Sequence, residues 1–308
     1  MPGATFLRRV PFTIGVFGIF VVLAVAFQTL WSPLADRTLA DQVAYGLPAF
    51  EAGRWWTTLT GAMFALQPVQ YVPILLGFLA FGGFTEYRLG ARKAVLAFTV
   101  CHVFAVVGTA ALLLLVRDHG YEWATDLARE VDAGPSAGFL GAAAVASATL
   151  RPPWRGRARV VLGTYVFLCA IHLGALADVE HALAVTAGLL LGPVLQGRRP
   201  SLSLHALTRR DYRLLASGLF VVAAVEGLFQ PFAPVSGPLT STLSQSARAD
   251  ALRDRDSLIA AAIQAVVWFW FARSLYKGPP TSLAVGVRNA GSGGARPACR
   301  YGCAGCAA

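Results

Sequence analysis

Charge is scarce in this chain. Asp, Glu, Lys and Arg make up 14% of its 308 residues, against roughly a quarter in soluble domains. The apolar share is 56% and the mean hydropathy is +0.58. Those values exclude a soluble globular domain and a disordered chain. Short alternating segments are missing too, which excludes a membrane β-barrel. Lys93 and Lys277 are the only lysines, so arginine carries nearly all of the +10 net charge. That skew, with abundant Ala and Gly, fits a GC-rich bacterial genome. Five cysteines make no disulfide framework. Cys101 and Cys169 lie in apolar stretches and read as inert core residues. Cys299, Cys303 and Cys306 sit in a Gly/Ala-rich tail without a fourth ligand nearby, so neither a metal nor any other cofactor is expected. The run after Arg8-Arg9 lacks an A-x-A cleavage site and exceeds the roughly 7–15 apolar residues of a signal peptide. It reads as a first membrane helix. No internal repeat is visible, which argues against the inverted halves of a transporter.

What the sequence does contain is apolar blocks of about 18–25 residues, long enough for a hydrocarbon core about 30 Å thick. Eight can be delimited: 11–31, 69–85, 92–116, 135–150, 158–177, 179–196, 213–230 and 258–275. The second admits an earlier start near Trp56, with a bend at Pro68. The expected fold class is all-α, a polytopic helical membrane protein. With the N-terminus inside, the inner segments hold 16 basic residues, the outer segments 7 and the tail 3. Acidic residues lean the other way, with 13 of the 16 on the outer side. This is the positive-inside pattern. The charge therefore marks a cytoplasmic face beside anionic lipid, and no nucleic-acid partner is expected. The expected location is a bacterial plasma membrane, with both termini cytoplasmic. The expected organisation is a six-helix core over 1–200, two further spans with a polar outer loop over 201–277, and a flexible cytoplasmic tail over 278–308.

The chemistry-bearing stretch is Gly134-Pro135-Ser136-Ala137-Gly138, at the start of the fourth block. Proline suits the first turn of a helix, which places Ser136 among N–H groups that lack intrahelical partners. A nucleophile there has oxyanion donors in its own backbone. Gly134, Ala137, Gly138 and Gly141 allow close approach of substrate and neighbouring helices. A small-residue packing face with an incidental serine would look the same. The pattern also matches the G-x-S-x-G nucleophile elbow, but no strand precedes it, so an α/β-hydrolase is excluded.

His181 adds a base. Ionisable groups inside membranes are costly and are functional candidates by default. Ala184, Gly188 and Gly192 form a small-residue face below it, and Gly188-x3-Gly192 is a close-packing motif. The topology puts Ser136 and His181 at similar depth on helices running the same way. An imidazole near a serine can make it a nucleophile, whereas alone it would be an interfacial histidine. His102 and His172 read as packed or water-bridged residues, His119 and His205 as solvated, and Glu226 as an interfacial carboxylate.

These residues resemble the rhomboid family of intramembrane serine proteases, over roughly 52–196. Gly82-Gly83-Phe84-Thr85-Glu86-Tyr87-Arg88-Leu89-Gly90 resembles the family's G-x-x-E-x-R-L-G turn. Trp55-Trp56-Thr57-Thr58-Leu59-Thr60 resembles its W-R-x-x-T segment, with threonine replacing the arginine. The resemblance implies Ser136 as nucleophile, His181 as general base, and Gly188 as a later glycine of the base helix. Ala137 stands where the family has glycine. Counting back from Glu86, the oxyanion-binding histidine falls on Gln70 and its asparagine partner on Ile74, while two upstream histidines become Gly61 and Ala65. Glutamine can still donate a hydrogen bond; isoleucine cannot.

Three functions fit the sequence at this stage. One is an intramembrane serine endopeptidase cutting membrane-anchored proteins near the outer leaflet, with Gly134, Ala137 and Gln70 supporting the Ser136–His181 dyad. Another is a catalytically inactive relative that binds transmembrane clients. The third is the membrane part of a lipid-handling system.

Overall fold

The computed structural model describes residues 8–152, 154–172 and 174–197, with Arg209, Arg213, Ala216 and Ser217 beyond them. Apart from Arg213, Ala216 and Ser217, the two further spans lie outside the described residues, as do the tail, His205, Glu226, Cys299, Cys303 and Cys306. Among the described residues all regular structure is helical, and the one β pairing is an isolated antiparallel bridge between Tyr45 and Asp132.

Helix α1 spans Pro11–Ala26, with proline in its first turn. The apolar block continues to Trp31, but the helix stops earlier. Gln28 takes a left-handed conformation (φ 58°), and Thr29 N–H reaches back to Ala24 O at 2.9 Å. That is a Schellman-type closure, and it overrides hydropathy. Short helices α2 (Thr38–Val43), α3 (Leu47–Glu51) and α4 (Thr57–Thr60) follow. The earlier start considered for the second block does not occur. Phe64 is extended (φ −132°, ψ 173°), so α4 is separate. Helix α5, Pro68–Leu89, restarts on a proline and carries a π-helical turn at Phe78–Gly82. Then come α6 (Ala91–Val116), α7 (Glu122–Leu127), α8 (Ser136–Ser147), α9 (Trp154–His172) and α10 (Leu176–Val194).

By length and composition α5, α6 and α10 can cross a membrane. Helices α1 and α8 are apolar but shorter, at 16 and 12 residues. Arg155, Arg157 and Arg159 make the start of α9 strongly polar.

Helix α8 is the centre of the bundle, and Ala137 through Ser147 are all buried. It lies between α10 and α6, and its composition explains how. A Cβ on Gly188 would fall 2.2 Å from Gly141 O, and one on Gly192 would fall 2.8 Å from Val145 O. A Cβ on Gly141 would meet Cys101 Cβ at 2.4 Å, and one on Gly138 would meet the Phe98 ring at 2.5 Å. Helices can approach this closely only where side chains are absent. Ala184, Ala137 and Ala105 complete the seam as a buried cluster. The small-residue face expected from sequence is therefore the contact between α8 and α10. Cys101 packs against this seam at Gly141, Cys169 is buried in α9, and neither forms a disulfide.

The far end of the bundle is closed by side chains that cap helices. The Glu86 carboxylate accepts Phe12 N–H at 2.9 Å and Thr13 N–H at 2.7 Å, which occupies free donors at the start of α1. Arg88 donates to Thr149 Oγ1 (2.9 Å) and Thr149 O (2.7 Å), just past the end of α8. Gly90, at φ +78°, ends α5 and returns its N–H to Glu86 O. Lys93 reaches Leu195 O at 3.2 Å, beyond the end of α10.

Candidate active site

Ser136 is the first residue of α8 and His181 lies in the second turn of α10. The glycine seam sets the two backbones side by side. At its open end, His181 Nε2 stands 2.8 Å from Ser136 Oγ. That distance lets the hydroxyl donate to an unprotonated Nε2. Both residues are only partly buried, so the pair is reachable.

The start of α8 carries a second feature. The first backbone bond of its ladder is Phe139 N–H to Pro135 O, at 3.0 Å. The N–H groups of Ser136, Ala137 and Gly138 take no acceptor among the described residues. Three unpaired donors thus lie at the positive end of the helix that Ser136 opens. Gly134 stands in front of it. A Cβ there would lie 3.7 Å from Ser136 Oγ and 3.6 Å from Ile74 Cδ1. Both are ordinary contact distances, so glycine leaves the side of the hydroxyl next to Ile74 without a side chain.

The residues expected to support the dyad divide. Gly134 and Ala137 are at the site. Gln70 is occupied locally, its side-chain oxygen accepting Gln67 N–H at 3.0 Å. Ile74 borders the space beside Gly134 with an apolar methyl. His102 is a core residue: Nε2–H donates to Thr58 O at 2.8 Å, and the ring stacks on Phe98. His119 is exposed. For His172 only the backbone, at the end of α9, is described. Among the described residues no group of three His, Cys, Asp or Glu side chains is arranged to hold a metal.

Three residues at the site went unassigned in the sequence reading. Tyr45 is fully buried, and its hydroxyl donates to Gly134 O at 2.9 Å. Its backbone exchanges both hydrogen bonds with Asp132, at 2.9 and 2.8 Å. Burial, then the nearby Asp132 and Glu180 carboxyls, pushes the Tyr45 phenol well above its ordinary range, so it stays a neutral donor. Asp132 is buried and accepts Ala133 N–H at 2.8 Å. Burial raises its pKa to about 6; the Ala133 bond opposes the rise and Glu130 adds to it. Glu180 is 2% exposed and its carboxyl interacts with the Tyr45 hydroxyl. No local pattern marks Tyr45, which meets Gly134 across 89 positions of chain.

No family model matches the chain, and no solved structure matches it. An uncharacterized protein of Corynebacterium glutamicum is 24% identical over 217 residues, covering 67% of this chain and 26% of that protein. The chain thus spans about a quarter of the length of the curated relative it matches.

Proposed function

We propose that this protein is a rhomboid-like intramembrane serine endopeptidase of a bacterial plasma membrane. In this reading α1, α5, α6, α8, α9 and α10 form the six-helix core, and membrane-anchored proteins are cut near the outer leaflet. The observation that carries it is the 2.8 Å contact between His181 Nε2 and Ser136 Oγ beside three unpaired N–H groups.

The chemistry follows from that geometry. His181 Nε2 takes the hydroxyl proton as Ser136 Oγ bonds to the scissile carbonyl carbon. The carbonyl π pair moves onto oxygen, where the Ser136, Ala137 and Gly138 N–H groups stabilise it. Collapse breaks the C–N bond, and the imidazolium protonates the leaving amine. Water then attacks the acyl-serine, His181 takes its proton, and Ser136 is regenerated with a carboxylic acid product. No cofactor enters.

A second reading has its own support. Ile74 offers a methyl where the family has an asparagine, and Gln70 stands where it has a histidine. Losing one oxyanion donor costs about 10²–10³-fold in rate. A non-catalytic protein that binds transmembrane clients would tolerate both.

The test uses the purified protein in lipid vesicles. A fluorophosphonate probe is expected to label the wild type and not Ser136→Ala, and a reconstituted single-span substrate is expected to be cut by the wild type alone. Equal labelling of both proteins, with no cleavage, would leave the client-binding reading in place.

A further inference from the structure

Three arginines converge on the end of α8. Arg88 donates to Thr149 Oγ1 and Thr149 O, Arg155 Nε to Leu150 O at 2.9 Å, and Arg159 Nε to Ser147 Oγ at 3.2 Å. Capping is the ordinary reason for cations at a helix C-terminus. Here the chain's own groups already do that work. The last four carbonyls of α8 are those of Ala144, Val145, Ala146 and Ser147. They accept, in turn, from the Ser147 hydroxyl, Ala148 N–H, the Thr149 N–H and hydroxyl, and Leu150 N–H. Arg155 and Arg159 each engage through Nε alone. The rest of the five N–H donors of each guanidinium, all on the Nη atoms, take no acceptor among the described residues.

No carboxylate balances these two cations either. Arg155 and Arg159 are four residues apart on one face of α9, a spacing at which like charges repel. Among the described residues the ion pairs are those of Arg117 with Glu51 and Asp118. Glu86, the carboxylate at this end, is taken up by Phe12 and Thr13 N–H. Both arginines are half-buried, so water solvates them only in part, and charges removed from water need a counter-charge.

The surroundings say which anion suits. Trp154 opens α9 and is 58% exposed, with the Arg157 guanidinium 5.0 Å from its ring centroid. Tryptophan gathers at the membrane–water interface, and basic pockets between helices on the cytoplasmic side take lipid headgroups. A guanidinium fork matches the paired oxygens of a phosphate. We propose that Arg155 and Arg159 form a binding site for the phosphate of an anionic phospholipid, between α9 and the turn after α8. The Nε contacts hold the two forks in place, and the Nη groups bind the phosphate oxygens. A choline headgroup brings its own cation and would leave the two guanidinium charges unbalanced. The site is independent of the proteolytic reading. It rests on the topology that sets the arginine-rich end at the inner membrane surface.

The test uses the full chain in a neutral detergent, incubated with equal amounts of phosphatidylglycerol and phosphatidylcholine and passed through gel filtration, with the retained lipid counted by mass spectrometry. Phosphatidylglycerol is expected to be retained over phosphatidylcholine by about fivefold or more. Arg155→Gln/Arg159→Gln is expected to lose that preference. Arg8→Gln/Arg92→Gln removes equal charge from two exposed arginines and is expected to keep it. Equal losses in the two double variants would mean diffuse attraction and overturn the proposal, as would an unchanged preference in Arg155→Gln/Arg159→Gln. Displacement of phosphatidylglycerol by excess inorganic phosphate would make the ligand a soluble anion and overturn the lipid assignment; retention in its presence supports it. If the glutamine variant does not fold, Arg155→Lys/Arg159→Lys keeps the charge and loses the fork, and is expected to lower the preference about threefold; a wild-type preference there overturns the proposal.

Discussion

Two helix starts, that of α1 and that of α8, treat their free backbone groups in opposite ways. At the Glu86 end, charged side chains are spent on capping: Glu86 takes two N–H groups of α1, and Arg88 takes Thr149 past the end of α8. At the Ser136 end, the N–H groups of Ser136, Ala137 and Gly138 are left without acceptors, although buried polar groups lie close by. The contrast separates a start of α1 closed by a carboxylate from a start of α8 whose donors are unpaired. It also changes the meaning of the family-like motifs. The Gly82–Gly90 landmark supplies helix caps, and it lies at the far end from Ser136 and His181.

That contrast can be broken from either end. The largest effect is expected from Ser136→Ala or His181→Ala, each lowering cleavage on the order of 10⁶-fold as in soluble serine proteases, with melting temperature little changed. Next comes the seam. Gly188→Val places atoms where Gly141 O lies 2.2 Å from a Cβ, and backbone cannot yield there. Overpacking normally costs about 1–3 kcal/mol, and here stability loss at or above the top of that range is expected in a denaturant titration. Labelling of Ser136 should be lost with it, because the same contact sets the dyad. At the capped end, Glu86→Ala removes two bonds to a carboxylate, each worth about 1.5–3 kcal/mol. A lower melting temperature with an unchanged labelling rate per folded molecule is expected. Loss of labelling without destabilisation would contradict the division of roles.

The smallest effect concerns Asp132, outside the spanning helices. Its folded pKa of about 6 lies above the ordinary 3.8, so the folded state holds the proton more tightly than the unfolded chain. Stability from this group is therefore greatest below about pH 4 and falls as pH rises through about 6, by on the order of 2 kcal/mol. Asp132→Asn is expected to narrow the difference in melting temperature between about pH 4 and about pH 7. An unchanged difference would show that the carboxyl ionises freely.

Much of the site was legible because it is written locally. The Gly-Pro-Ser start of α8 and the Ala184, Gly188, Gly192 spacing are short-range patterns, and they place Ser136 and His181 on one seam. Helix ends were less legible. The apolar run to Trp31 gave no hint that Gln28 would close α1 at Ala26. Nor did composition reveal that Phe64 would separate α4 from α5. Tyr45 was invisible for a different reason. Its role depends on meeting Asp132 and Gly134, far away in the chain, and a lone tyrosine between Ala44 and Gly46 carries no periodicity. The Gln70 side-chain oxygen accepts Gln67 N–H at 3.0 Å, a local turn contact that the sequence reading did not include.

The contact between Gly141 and Gly188 has a mechanical consequence. With carbonyl pressed against Cα, α8 and α10 have no layer of pliable side chains between them to shear. Thinning or thickening of the surrounding bilayer will tilt the two helices together as one rigid body, leaving the hydroxyl and the imidazole in register while the lipid-facing helices around them adjust.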